Sequence, residues 1–549
     1  MSGAHLVTRA LSRAGVKTVF SLSGNQIMPI YDACIDAGIR IVHVRHEAAA
    51  VHMADAWAQL TGEIGVALLT AAPGITNGLS PLYSARMAES PVLVLSGDSP
   101  MSADGTGPFQ ELAQTEITKP LVKRALRPTR AAELDRDVTE AIECALSGRP
   151  GPVHVALPFD LLSQDVQDSD APGPAAPRRQ STALAPQAAQ AIAQRVGQAK
   201  RPLVLVGPML NASRAPGLLA RARQALQAPV IPMESPRGLR DPSLGTFASC
   251  LADADLVLLL GKPLDFTVAH GKTPAFHAQA GVIVVDPEAF LLERAVKGLG
   301  ARLREHAQAD ADDALQALCE AAAQASSPRA DWLARVDAAI ASRQLVAGTG
   351  GLPDAAQPLP QAICGAVQQA LDQADEPILI CDGGEFGQWA QAFCQAPTRV
   401  INGVSGAIGG ALCYAIAASL ARPDATIFTL MGDGTVGFHL SEFETAAREG
   451  ARFVAVVGND ARWNAEHVIQ MREYGADRLY GCQLSAAARY DQAAQALGAH
   501  GGYADRLADV AGVIDAALHS GKPACLDIRM DGQAAPSFAS TGVAAQGPH

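Results

Sequence analysis

Short runs of consecutive apolar residues recur along the chain, each ended by Gly, Pro or a polar residue and followed by a stretch with helical spacing. They fall first at GVALLT (65–70), PVLVLSG (91–97) and PVHVALP (152–158). A second set is RPLVLVG (201–207), ADLVLLLG (254–261) and AGVIVVD (280–286). The third is EPILICDGG (376–384), ATIFTLMGDG (425–434), RFVAVVGND (452–460) and PACLDIR (523–529). Strands that are apolar on both sides belong to parallel sheets covered on both faces by helices. The pattern therefore predicts an α/β chain of three doubly wound parallel sheets. Two segments lack apolar periodicity and carry turn residues, roughly 163–188 and roughly 343–358. They divide the chain into expected domains at 1–165, 189–342 and 358–535.

Composition narrows the function classes. The chain has 549 residues, 48% apolar and 18% charged, which is not the balance of a disordered protein. Its net charge of −12 argues against a general nucleic-acid binder but not against a local anion site. Ten cysteines without a CxxC pair read as reduced thiols of a cytoplasmic protein. The N-terminus is amphipathic and lacks an apolar signal core. The blandest stretch, 406–421, is broken by Gly and too short to span a bilayer, so neither secretion nor membrane insertion is expected.

In parallel sheets ligands gather at the carboxyl ends of the strands, and two motifs lie at such ends. In MGDGTVGFHLSEFETAAREGARFVAVVGNDARW (431–463), a strand ends at Gly432-Asp433-Gly434-Thr435, a helix follows to Gly450, and the next strand ends at Asn459-Asp460. A right-handed crossover brings these strand ends together. Converging carboxylates suit a hard cation such as Mg²⁺, and Gly432 and Gly434 let backbone N–H groups approach an anion. Alone, Gly-Asp-Gly is also an ordinary turn. In IRIVHVRHEAAAVHMADAWAQLTG (39–62), an apolar run ends at Arg45-His46-Glu47 and enters an Ala-rich helix. There Glu47 has a bland reading too, as an acidic residue complementing the helix dipole.

With these residues the chain resembles the thiamine-diphosphate-dependent enzymes of the acetolactate synthase group, which includes benzaldehyde lyase, 2-hydroxyacyl-CoA lyase and oxalyl-CoA decarboxylase. The resemblance covers about 3–530. It implies Asp433 as first Mg²⁺ ligand and the main-chain carbonyl of Arg462 as another. The second ligand in many members is the latter Asn of an Asn-Asn pair. That place holds Asp460 here, with Asn459 taking the role if the strand is one residue out of register. Glu47 would be the residue that hydrogen-bonds N1′ of the aminopyrimidine and sets up removal of the thiazolium C2 proton.

Further positions follow from the same resemblance. In INGVSGAIGGALCYAIAASLA (401–421), Gly406 would meet the pyrimidine and Ile408 would wedge between the rings. The competing reading is a tightly packed helix using Gly for close approach. In DGGEFGQWA (382–390), Gly384, Glu385 and Phe386 would approach the diphosphate. Gln26, in the loop SLSGNQIMPIYDA (21–33), would face the reacting carbon. That loop has neither the histidine pair of benzaldehyde lyase nor the Pro-Gly-Gly of acetolactate synthases, and a helix start capped by Asn25 competes. Phe109 and Gln110 would line the pocket from a neighbouring subunit, with an amphipathic loop-helix as the plain alternative. Trp463, Glu466 and His467 would reach the site mouth, although a His beside a Glu is commonly a solvated pair.

In acetolactate synthase the central domain carries FAD, and in oxalyl-CoA decarboxylase ADP. The FAD-associated Gly-Ala-Arg-Phe-Asp stretch stands here as Gly261-Lys262-Pro263-Leu264-Asp265-Phe266, without its arginine. FAD and an empty structural domain both stay open.

The resemblance thus implies an enzyme dependent on thiamine diphosphate and Mg²⁺ that makes or breaks a C–C bond next to a carbonyl. Its substrate would be a small 2-oxo acid or 2-hydroxy ketone. 2-Hydroxyacyl-CoA cleavage, oxalyl-CoA-type decarboxylation and a non-catalytic cofactor-binding paralogue are the alternatives. It further implies a homodimer or homotetramer with active sites at subunit interfaces. A Mg²⁺–nucleotide enzyme is disfavoured because no GxxxxGK[ST] loop is present.

Overall fold

The computed structural model describes residues 1–167, 175–322, 329–345 and 356–536. The two linker expectations fall partly outside the described residues, at 168–174 and 346–355.

Every apolar run named above forms a strand, and all pairings among named strands are parallel. The first sheet comprises β1 (Thr18–Ser21), β2 (Arg40–His43), β3 (Gly65–Leu69), β4 (Val92–Asp98), β5 (Arg124–Leu126) and β6 (Val153–Pro158). Its order is β2-β1-β3-β4-β6-β5. The second comprises β7 (Pro202–Val206), β8 (Val230–Pro232), β9 (Leu256–Leu260), β10 (Gly281–Asp286) and β11 (Leu303–Gln308), in the order β11-β10-β9-β7-β8. The third comprises β12 (Pro377–Cys381), β13 (Thr398–Ile401), β14 (Thr426–Gly432), β15 (Val454–Asn459), β16 (His500–Ala504) and β17 (Ala524–Arg529). Its order, β13-β12-β14-β15-β17-β16, repeats that of the first sheet strand for strand.

This order decides where ligands can sit. In a doubly wound sheet the chain reverses direction across the sheet at one place, and the loops there part to leave a crevice. The crevice lies between β1 and β3 in the first sheet, between β7 and β9 in the second, and between β12 and β14 in the third.

The first and third sheets are joined through helices that are buried nearly all round. The helix Glu47–Thr61 buries nearly every residue, and so does the helix Ala411–Ala421. Such helices belong between layers rather than at a surface. They pack on each other, and one continuous core runs from Phe20, Val42 and Val94 through Ala50 and Leu412 to Ile380 and Val457. Asp55, buried on the first helix, accepts from the Tyr414 hydroxyl at 3.1 Å. Among the described residues no helix is long and apolar enough to cross a membrane.

Candidate active site

A cavity of about 210 Å³ opens at the carboxyl ends of β12, β14 and β15. Its wall includes Gly384, Glu385 and Phe386 after β12, and Gly432, Asp433, Gly434 and Thr435 after β14. Asp460, Arg462 and Trp463 after β15 complete that side, and Gly406 and Ile408 close another. Thirteen of the residues singled out from the sequence, Glu466 among them, thus line one cavity.

Two carboxyls dominate it. Asp433 opens a short helix, and its Oδ1 accepts from the Gly434 N–H at 3.0 Å. Its Oδ2 is buried without a hydrogen-bond partner, and so is Oδ2 of Asp460, which has only the Arg462 guanidinium at 4.0 Å. Burial, and then the charge of Asp460, raises Asp433 to about 7. Burial raises Asp460 to about 6 against the opposing pull of Arg462. Two buried acidic groups that both resist ionisation are short of positive charge, which a divalent cation with oxygen ligands supplies. The residues therefore fit a Mg²⁺-bridged diphosphate.

Asn459 has no part in the cavity wall. Its amide donates to Asp527 at 2.8 Å, and its carbonyl oxygen accepts from Ala461 N–H at 3.2 Å and Arg529 at 2.7 Å. Of the adjacent pair, the side chain at the cavity is that of Asp460. Glu385, an awkward neighbour for a diphosphate, is held by the Ala535 N–H, which donates to its Oε2 at 2.5 Å. Glu466 lines the cavity, whereas the His467 ring turns to Arg462 at 3.3 Å.

A second polar cluster lies at the corresponding crevice of the first sheet. Glu47 is 8% exposed and begins its helix, with His46 as N-cap accepting from the Ala48 N–H at 3.1 Å. The Glu47 Oε2 accepts from Asn77 Nδ2 at 3.0 Å. Gln26, after β1, donates to Gln110 Oε1 at 2.6 Å and accepts from Thr70 Oγ1, after β3, at 2.8 Å. Asn25 begins a short 3-10 turn and makes no cap bond. Phe109 is 75% exposed, and Gln110 takes a positive φ of 60°. Glu47, Gln26 and Gln110 are absent from the wall of the cavity described above within one chain.

The sequence pattern did not single out Asn77, which orients Glu47, or Arg237, which enters the cavity from the central domain half-buried beside Glu385. A polar residue at the end of a short turn and an arginine in a loop carry no local signal.

At the crevice of the second sheet stand this chain's own ionic groups. Arg149 of the first domain contacts Glu89, donates to the Gly261 carbonyl at 3.0 Å and pairs with Asp286 at 2.6 Å. Lys262 is buried and pairs with Asp265 at 3.2 Å.

Three models of one family match the chain. Residues 1–117 match the family described as thiamine pyrophosphate enzyme, N-terminal TPP binding domain. Residues 189–318 match its central domain, and residues 382–528 its C-terminal TPP binding domain. The chain is 29% identical over 552 residues to the acetolactate synthase large subunit IlvG of Mycobacterium tuberculosis, covering 97% of this chain and 96% of the relative. It is 30% identical over 543 residues to 2-hydroxyacyl-CoA lyase 2 of Homo sapiens, covering 91% of this chain and 84% of the relative.

Proposed function

The chain belongs to the thiamine pyrophosphate enzyme family, and on that premise we propose that it makes or breaks a C–C bond next to a carbonyl, using thiamine diphosphate held through Mg²⁺. The observation that carries the metal reading is the pair of buried carboxylate oxygens on Asp433 and Asp460 that accept no hydrogen bond. These two side chains and the main-chain carbonyl of Arg462 would hold the ion. Gly384, Phe386, Gly432, Gly434, Thr435 and Trp463 would form the bed of the diphosphate, with Glu385 turned aside.

When bound, the cofactor supplies a carbon nucleophile that later accepts the electrons of the cleaved bond. The protein supplies orientation and proton handling. Glu47, fixed by Asn77, would hold a proton at the pyrimidine N1′. Ile408 would press between the two rings, with the Gly406 backbone alongside. Gln26 and Gln110, already bonded to each other, would orient a substrate oxygen. Because Glu47 is outside the cavity wall of its own chain, the complete site would be assembled from two subunits.

The loop at 21–33, without histidines, disfavours benzaldehyde lyase, and the acetolactate synthase relative supports a 2-oxo acid as the first reading. The lyase relative is equally near and supports a 2-hydroxyacyl-CoA substrate as the second reading. The central domain acts structurally in this proposal, because Arg149 pairs with Glu89 and Asp286 at the crevice a flavin or ADP would need. Ten free thiols support work in a reducing compartment such as the cytoplasm. The test is incubation with thiamine diphosphate, Mg²⁺ and in turn pyruvate, benzoylformate, benzoin and a 2-hydroxyacyl-CoA, with products read by mass spectrometry. Turnover of pyruvate to a carboligation product supports the first reading. Turnover of the thioester alone supports the second, and turnover of none refutes both.

A further inference from the structure

Asp382 immediately follows β12, is fully buried and is absent from the cavity wall. Its Oδ1 accepts from Gly383 N–H at 2.7 Å and from Gly409 N–H at 2.9 Å, and its Oδ2 accepts from Gly409 N–H at 3.1 Å. The Ala411 N–H, at the first residue of the helix Ala411–Ala421, also favours the charged form of this carboxyl. No salt bridge to Asp382 is formed among the described residues. A buried carboxylate is costly unless donors surround it, and here main-chain N–H groups and a helix N-terminus take that role. The bonded groups belong to two segments: the strand end at 382–383 and the loop that carries Ile408.

The same loop is held on its other side. Asn402 Nδ2 donates to the Ala407 carbonyl. Ile408 therefore has its preceding carbonyl and its following N–H both gripped by buried polar side chains. Its Cγ2 packs so closely on Gly383 that a Cβ there would come within 2.5 Å. An apolar side chain at a cavity wall would otherwise swing with its loop, and a shift of about 1 Å is enough to spoil a reacting geometry.

We propose that Asp382 is a positioning residue: by tying the Gly409 N–H to the end of β12, it holds Ile408 in the place from which it bends the cofactor. This rests on the thiamine diphosphate reading above. Asp382 touches neither cofactor nor substrate.

The test compares the parent with Asp382→Asn, Asp382→Ala, Ile408→Ala and the double variant Asp382→Ala/Ile408→Ala. Three quantities are measured. In the cofactor-free protein, amide hydrogen exchange of the peptide covering 402–411 is expected to quicken at least ~10-fold in Asp382→Ala. By calorimetry with Mg²⁺, thiamine diphosphate affinity should fall less than ~10-fold, because the carboxylates of Asp433 and Asp460 are untouched. In the loaded protein, exchange of the cofactor C2 proton, followed by NMR, should slow ~100-fold in Asp382→Ala and in Ile408→Ala, with the double variant no worse than either single one. Asp382→Asn keeps one acceptor and should lie between; it carries the test if the alanine variant does not fold. Unchanged exchange at 402–411, or losses that add in the double variant, overturn the role. A parent that binds no thiamine diphosphate overturns the cofactor reading instead and takes this role with it, so the two failures are told apart.

Discussion

Glu47 and Asp433 each stand at the first residue of a helix after a parallel strand, yet their surroundings prepare them for different work. Glu47 has a neutral amide partner, Asn77, whereas Asp433 faces a second carboxyl, Asp460. Glu47→Gln is therefore expected to keep thiamine diphosphate affinity within ~10-fold while slowing C2-proton exchange ~100-fold or more. Asp433→Ala should lose affinity itself by ~100-fold, since the proposed metal ligand is removed. Calorimetry and NMR exchange on both variants check this, and a Glu47→Gln protein that exchanged at the parent rate would refute its role. Asp382 gives a pH prediction. Burial lifts its carboxyl to about 6 from an ordinary 3.8. The folded chain then binds more protons than the unfolded chain between those values, so this group lowers stability as pH rises through the window, by up to about 3 kcal/mol. Below the window the effect is absent; above it the effect is full. Its ionisable neighbours Cys381, Cys413 and Tyr414 stay neutral, their pKa values raised by burial. Cofactor-free Asp382→Asn should accordingly gain stability relative to the parent from pH 4 to pH 7 in urea titrations. Residues with a motif around them, such as Asp433 and Glu47, were visible in the sequence. Asp382, Asn77 and Arg237 were not, because what defines them is a partner brought in from another segment.

At the scale of elements, legibility followed burial. Interior strands such as β9 and β14 read as unbroken apolar runs because both faces are covered. Strands at sheet edges left weaker traces: β11 alternates half-buried and exposed residues, and β16 is half-buried along almost its whole length. β5 and β8 are three residues each, too short for periodicity to register. The cavity depends on the interior strands being flush with their neighbours. Gly458 pairs with Gly432, and a Cβ at Gly458 would lie 2.5 Å from the Phe386 ring. Gly458→Ala must push Phe386 into the cavity or bend β15, so about 1–3 kcal/mol of stability should be lost in chemical denaturation, together with cofactor affinity. A variant as stable as the parent would mean that the ring moves freely. The crevice of the second sheet leads the other way. With Arg149, Glu89 and Asp286 lodged there, the purified protein is expected to be colourless and to release no flavin on denaturation. Visible flavin absorbance in stoichiometric amount would refute a structural central domain.

At the scale of the whole molecule, the repeated strand order gives the chain two equivalent crevices, one holding Glu47 and one holding Asp433 and Asp460. Within one chain Glu47 is absent from the cavity wall, the helices Glu47–Thr61 and Ala411–Ala421 pack together between the sheets, and Arg45 N–H donates to Glu442 at 2.9 Å. A twofold pairing of chains can bring the Glu47 crevice of one subunit to the cavity of the other, and by symmetry it does so twice. Complementation tests this directly. Glu47→Gln and Asp433→Ala proteins, each inactive alone, are mixed, dissociated and reassociated. If each site borrows Glu47 from one subunit and Asp433 from the other, every mixed dimer holds one doubly altered site and one intact site. Random assortment makes half the dimers mixed, so about a quarter of the parent activity should return. If instead each site is built within a single chain, every site in every dimer keeps one altered residue and no activity returns. Sedimentation before and after mixing confirms that subunits exchanged, so a null result would count against shared sites rather than against the exchange.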